Sequence, residues 1–196
     1  MISPEMGASF QQQVVFLDRD GVLIENRQEY VRCWADVAIF PQAVEACHLL
    51  SEAGFAIVVV TNQAVVGRGI LTYETVRDLN ERIIDAFRSA GANILASYIC
   101  HHHPDEQCDC RKPRPGMLLQ AAREHDIDLT KAFLVGDALT DIQAAEAGGV
   151  KGILVRTGRG ISQEPLVTHT YGSRFVVCDD LLAAATLILA SIGVQG

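Results

Sequence analysis

Phe55 to Val60 reads FAIVVV, an apolar run with no polar interruption. A strand with one face in water alternates apolar and polar residues. A strand covered by helices on both faces reads as a continuous run, commonly β-branched. This segment is therefore expected to be an inner strand of a parallel sheet. Working outward, Ala43 to Ala53 has helical spacing and stops at Gly54, and Thr72 to Ala90 reads as a long amphipathic helix with Thr72 as its N-cap and Gly91 beyond its end. Strands are expected at Val14 to Leu17, Ile94 to Ile99, Ala132 to Val135, Gly152 to Val155 and Phe175 to Val177. Further helices are expected at Pro115 to His125, from Asp141 to Ala147, and after Asp179 and Asp180. This alternation predicts a Rossmann-like three-layer α/β/α fold with a mostly parallel sheet. Residues 1–12 read as a flexible N-terminal segment and 13–196 as a single domain. Thr157 to Arg174 is polar and patternless and reads as a surface loop.

The chain has 196 residues, 49% hydrophobic and 20% charged, which excludes general disorder. Lys+Arg 16 against Asp+Glu 24 leaves a net charge of −8, which argues against nucleic acid or an anionic membrane as the partner. Phosphate ligands stay open, because a local metal ion outweighs a global charge. Met1 to Gln13 lacks the basic start and apolar stretch of a secretory leader. The most apolar window, Leu181 to Val194, is too short to span a bilayer. A cytoplasmic protein is expected, and with it reduced thiols at Cys33, Cys47 and Cys178.

In folds of this kind ligands bind at the carboxyl ends of the strands. Polar groups stand at three such ends: Asp18-Arg19-Asp20-Gly21, Thr61-Asn62-Gln63 and Gly136-Asp137. Arg111-Lys112 follows the third strand. Asp18 and Asp20 lie two residues apart, and such carboxylates repel unless a cation joins them or one is protonated. An oxygen-only site with open positions suits Mg²⁺, and Asp137 offers a further oxygen. A carboxylate facing a phosphate can attack phosphorus, with cations neutralising the phosphoryl oxygens. Any one of these groupings alone is more often a turn or a cap. Their common placement at strand ends points to chemistry.

A second cluster lies in residues 100–110, CHHHPDEQCDC. Cys100, His102, Cys108 and Cys110 make a Cys₃His set suited to a closed structural Zn²⁺ site, with His101 and His103 as competing histidines. The loop has almost no apolar residues to order it otherwise.

VFLDRDGVL (Val15 to Leu23), VVVTNQ (Val58 to Gln63), the lysine of CRKPRPG (Cys110 to Gly116) and LVGDALTD (Leu134 to Asp141) resemble, in order, the four motifs of haloacid-dehalogenase-superfamily phosphatases. The resemblance covers residues 14 to about 157. It implies Asp18 as nucleophile, Asp20 as general acid and base, and Thr61 and Lys112 as phosphate-stabilising residues. It implies Mg²⁺ held by Asp18, the Asp20 backbone carbonyl and Asp137, with Asp141 as a supporting carboxylate. Asp18 to Thr61 and Thr61 to Lys112 are filled by elements already assigned, so a capless enzyme is expected.

The zinc loop followed by CRKP is similar to a subgroup of heptose-bisphosphate and histidinol-phosphate phosphatases. Gly67-Arg68-Gly69, CRKPRPGML (Cys110 to Leu118) and LVRTG (Leu154 to Gly158) look like the heptose enzymes. That comparison implies a small sugar bisphosphate as substrate, losing its 7-phosphate. Substrate contacts would come from Arg111, from Asn26 to Tyr30, and from Asn62, Gln63 and Arg68. Ala138 stands where the heptose enzymes often carry Lys, and the zinc loop is short, as in the histidinol-phosphate enzymes. Histidinol phosphate is therefore the rival substrate. A zinc-stabilised binding protein with a decayed site is the rival of another class, and the complete acid set argues against it. A monomer is expected.

Overall fold

The computed structural model describes residues 12–172 and 174–193. The expected mobile segment 1–12 lies almost wholly outside the described residues. Six parallel strands form one sheet: β1 (Val14–Leu17), β2 (Ala56–Asn62), β3 (Ile94–Cys100), β4 (Phe133–Gly136), β5 (Lys151–Val155) and β6 (Val176–Cys178). Their order is β3-β2-β1-β4-β5-β6. The chain runs outward from β1 to β3, then returns to place β4 on the other side of β1. The loops leaving β1 and β4 therefore diverge, opening a crevice at the carboxyl ends of the two central strands.

Helices cover both faces. α1 (Pro41–Glu52), α3 (Tyr73–Ser89) and α7 (Leu181–Gly193) pack on one face; α4 (Gly116–His125) and α5 (Leu139–Gly148) pack on the other. The two-residue strand period divides β1 between them. Val15 and Leu17 join the first layer, Val14 and Phe16 the second, and all four are buried. α3 shows the sequence logic most clearly. Thr72 Oγ1 accepts from the Thr75 amide at 3.2 Å, and Val76, Leu79, Ile83, Ile84 and Phe87 form its buried stripe. Burying each such side chain contributes about 1.5–3 kcal/mol. No helix of the described residues is long and apolar enough to cross a membrane.

The expected boundaries hold to within two residues for most elements. Thr157 to Arg174 departs from expectation: Gly160–Tyr171 forms a helix, α6, with Pro165 inside it. Only Gly160 and Val167 are buried, while Ile161 and Leu166 point outward. A helix that meets the core through so narrow a face carries no apolar stripe, so periodicity cannot reveal it. Tertiary contacts hold it instead: Val167 packs with Ile142 and Leu154, and the Arg156 guanidinium donates to both carboxylate oxygens of Glu164 at 2.8 Å.

No folded lid stands over Asp18 among the described residues. Between β1 and β2 lie isolated bridges joining Ile24 to Asp20 and Ile39, a short 3₁₀ turn at Trp34–Asp36, and α1. Between β2 and β3 lie only the one-turn α2 (Ala64–Gly67) and α3.

Candidate active site

Asp18 is the first residue beyond β1. Its amide donates to the Val135 carbonyl at 3.0 Å, carrying the sheet pairing one step past the strand and holding the side chain at the crevice floor. Asp18 Oδ1 accepts from the Arg19 amide at 2.8 Å and lies 2.8 Å from Lys112 Nζ. The same ammonium lies 2.7 Å from Asp141 Oδ1 and donates to the Val60 carbonyl at 2.8 Å. The end of β1, strand β2 and the first turn of α5 thus converge on one buried lysine. Asn62 fixes its backbone: Asn62 Nδ2 donates to the Lys112 carbonyl at 3.0 Å and Asn62 Oδ1 accepts from the Lys112 amide at 3.1 Å.

Asp20 is held by partners of its own. Arg19 Nη2 donates to its two oxygens at 3.1 and 2.8 Å, and Gln63 Nε2 donates to Oδ2 at 2.7 Å. Gln63 Nε2 also reaches Thr61 Oγ1 at 2.9 Å. Both Asn62 and Gln63, expected as substrate contacts, have these amide groups turned toward the protein. Their hydrogen bonds position Lys112 and Asp20. Sequence reasoning missed the clamp from Arg19, because an arginine between two motif aspartates gives no sign that it is fully buried.

Asp137 is buried beyond β4. Asn26 Nδ2 donates to its Oδ2 at 3.1 Å. Arg159 donates to it three times: from its amide to Oδ2 at 2.8 Å, from Nε to Oδ2 at 3.3 Å and from Nη2 to Oδ1 at 2.9 Å. Arg159 was also missed, because it precedes α6 in the stretch expected to be a loop. Gly21 (φ +91°) and Gly158 (φ +58°) let their loops close on this carboxylate, since a Cβ at either position would collide with Asp137 Oδ2. Asp141 Oδ2 accepts from the Ala138 amide at 3.1 Å, which caps α5 and orients its other oxygen toward Lys112.

Carboxylate oxygens of Asp18, Asp137 and Asp141 all lie within 4.8 Å of one another. Lys112 and Arg159 leave this buried trio one positive charge short. Burial raises Asp18 to about 7, with Asp141 and Asp137 adding to the effect against Lys112. Burial raises Asp137 as well, against the hydrogen bonds from Arg159. Burial opposes the Lys112 charge, but Asp141 and Asp18 outweigh it and hold the lysine above its ordinary range. An all-oxygen donor set with surplus negative charge fits Mg²⁺.

A pH dependence follows. The folded value of Asp18 lies above its unfolded value of 3.8. Its contribution to stability is therefore complete below that value and is lost as pH rises through about 7. In Mg²⁺-free buffer the thermal midpoint is expected to fall between about pH 5 and 8, with Mg²⁺ restoring most of the loss at the upper end. A midpoint that rises over this range without Mg²⁺ contradicts the assignment.

Asp18, Asp20, Tyr30, Thr61, Arg68, Arg111, Lys112 and Arg159 line a cleft of about 390 Å³. An adjoining chamber of about 400 Å³ holds Asn26, Arg27, Gln28 and Gln63 and shares Asp20, Tyr30, Asn62 and Arg159 with the first. Arg111 Nη1 is buried and lacks a partner, so this guanidinium retains a donor for a ligand.

The Cys/His loop departs from the end of β3. Cys100 Sγ lies 3.6 Å from Cys108 Sγ and 3.8 Å from His102 Nδ1. Cys110 Sγ lies 3.5 Å from Cys108 Sγ and 3.3 Å from His102 Nδ1. Zn–S bonds of about 2.3 Å set the sulfurs of a tetrahedron roughly 3.8 Å apart, so these edges match a closed zinc site. The competing histidines have other partners. His101 stacks on His102 at 4.4 Å and meets Tyr73 edge-on, and His103 Nδ1 accepts from the Asp105 amide.

These features define a class, the phosphoric monoester hydrolases of the haloacid-dehalogenase (HAD) type. Known proteins share them: the HAD-hydrolase-like family model matches residues 109–184. The D-glycero-beta-D-manno-heptose-1,7-bisphosphate 7-phosphatase of Pseudomonas aeruginosa is 34% identical over 90% of this chain and 97% of its own. That of Yersinia pestis is 40% identical over 76% of this chain and 84% of its own. The crystal structure of the D,D-heptose 1,7-bisphosphate phosphatase of Bordetella bronchiseptica, complexed with magnesium and phosphate, superposes with a TM-score of 0.83 at 33% identity, covering 92% of this chain and 99% of that one. The chain belongs to the HAD-like hydrolases and, among them, to the family of these heptose-bisphosphate 7-phosphatases.

Proposed function

We propose that this enzyme removes the 7-phosphate of D-glycero-D-manno-heptose 1,7-bisphosphate through an aspartyl-phosphate on Asp18. The observation that carries the reading is the buried Asp18 held against Lys112, within reach of Asp137 and Asp141. An Asp18 carboxylate oxygen attacks phosphorus and the bond to the sugar oxygen breaks, with Asp20 delivering a proton to that oxygen. Asp20 then takes a proton from water, which attacks the same phosphorus and releases inorganic phosphate and free Asp18. Lys112 neutralises both the nucleophile and the developing charge, and the Thr61 hydroxyl stands beside the transferred group. Mg²⁺, held by Asp18, Asp137 and the Asp20 backbone carbonyl, supplies further charge neutralisation at the phosphoryl oxygens. Cys100, His102, Cys108 and Cys110 would hold Zn²⁺, which would order the loop that presents Arg111 and Lys112. Arg68, Arg111, Asn26 and Tyr30 face the sugar and its second phosphate. We assign these parts to one domain over 13–196, acting as a monomer in the cytoplasm.

Phosphate release with Mg²⁺ tests the reading. The panel is both anomers of the heptose bisphosphate, histidinol phosphate, fructose 1,6-bisphosphate and an aryl phosphate. One heptose anomer is expected to exceed every other substrate in kcat/KM by at least about tenfold. Preference for histidinol phosphate, or no release from any substrate, overturns it.

A further inference from the structure

Arg159 is the one cation that lines both chambers of the cleft among the described residues. Arg68, Arg111 and Lys112 face the first, and Arg27 the second. Two of its neighbours are already engaged, Lys112 with Asp18 and Asp141 and Arg27 with the Asp36 carbonyl and Glu25, while Arg111 keeps a free donor on the first chamber only. The Arg159 side chain is 54% exposed, whereas its partner Asp137 is wholly buried. Every side-chain hydrogen bond that Arg159 makes goes to Asp137, the carboxylate that a divalent cation would also require. Gly158, next to Arg159 in the chain, packs directly against Asp137, and the Arg159 amide donates to Oδ2 at 2.8 Å. The half-exposed side chain can therefore leave while the loop stays in place.

We infer that Arg159 is an exchangeable counter-ion and a specificity residue: it neutralises Asp137 until Mg²⁺ takes that carboxylate, and then binds the phosphate that is not transferred. The second half rests on the bisphosphate reading above; the first does not. Two cations competing for one carboxylate are linked, so removing one tightens the binding of the other. Once released, a guanidinium between the two chambers offers a planar pair of donors to a phosphate anchored at a distance from Asp18. The arginine thus couples metal loading to recognition of a doubly phosphorylated ligand.

Arg159→Gln tests both halves. Titration calorimetry of the substrate-free protein with Mg²⁺ is expected to show binding tightened by about fivefold or more. Unchanged or weaker binding overturns the exchange. In kinetics, the loss in kcat/KM on the bisphosphate is expected to exceed the loss on the aryl phosphate by about tenfold or more, and to lie mainly in KM. Equal losses on both overturn the specificity role. Arg159→Lys keeps the charge without the fork and is expected to restore the wild-type Mg²⁺ affinity while recovering only part of the bisphosphate KM. A wild-type enzyme with no preference for a bisphosphate sinks the substrate reading and the specificity half together. The calorimetry still decides the exchange.

Discussion

Asp18→Asn is expected to reduce phosphate release by about 10³-fold or more and to leave the fold standing. An amide keeps the shape of the carboxylate and cannot form the acyl phosphate. The floor of the cleft survives because Lys112 keeps Asp141 at 2.7 Å and the Val60 carbonyl at 2.8 Å. The variant also separates chemistry from stability. Burial holds the Asp18 carboxyl near 7 in the metal-free protein, so ionising it is unfavourable in the folded state. Removing the carboxylate is expected to raise the Mg²⁺-free thermal midpoint at pH 8 and to flatten the fall between pH 5 and 8. Phosphate release and a melting series on the same preparation check both. Activity above about a tenth of wild type removes Asp18 from the nucleophile's position. An unchanged pH slope removes it as the source of the destabilisation.

Cys108→Ser is expected to produce the largest structural effect. Cys108 shares edges of 3.6 and 3.5 Å with Cys100 and Cys110, so its loss leaves three ligands and an open position. The loop has little else to order it. Among the described residues, its apolar contribution comes from the cysteines themselves, packed against the layer around Tyr98 and Met117. Metal analysis is expected to show zinc content falling toward zero. The thermal midpoint should fall, because the folded state loses a metal that the unfolded chain binds poorly, while the two apolar layers on the sheet keep the domain folded. Activity should fall through KM more than kcat. Arg111 follows Cys110 directly and moves with the loop, while Asn62 continues to hold the Lys112 backbone. Full zinc content with unchanged activity refutes the tetrahedral assignment.

Much of this architecture is legible in the residues. The continuous run at Phe55 to Val60 and the alternation around it carry the parallel sheet. The stripe of α3 is visible because its buried face is wide and regular. The acid set could be read because chemistry at a strand end needs particular residue types in particular places: Asp18, Asp20 and Asp137 follow strands whose boundaries the apolar pattern marks. The grouping of Cys100, His102, Cys108 and Cys110 was legible for the same reason. The choice of His102 over His101 and His103 follows the spacing, and in the fold the two rejected rings have a stacking role and a capping role.

What only the tertiary structure decided are the relations between groups distant in the chain. α6 was hidden because its burial rests on Gly160 and Val167 alone, and with it the position of Arg159. The duties of Asn62, Gln63 and Arg19 depend on which polar atom meets which partner across loops that no local pattern connects. By itself the sequence determined the sheet, the strand ends and the kinds of groups placed there, because backbone periodicity and residue chemistry are local properties. The folded chain decided which carboxylate each cation neutralises. Charge pairing acts through space at about 3 Å, between residues that only the parallel pairing of β1 with β4 brings together.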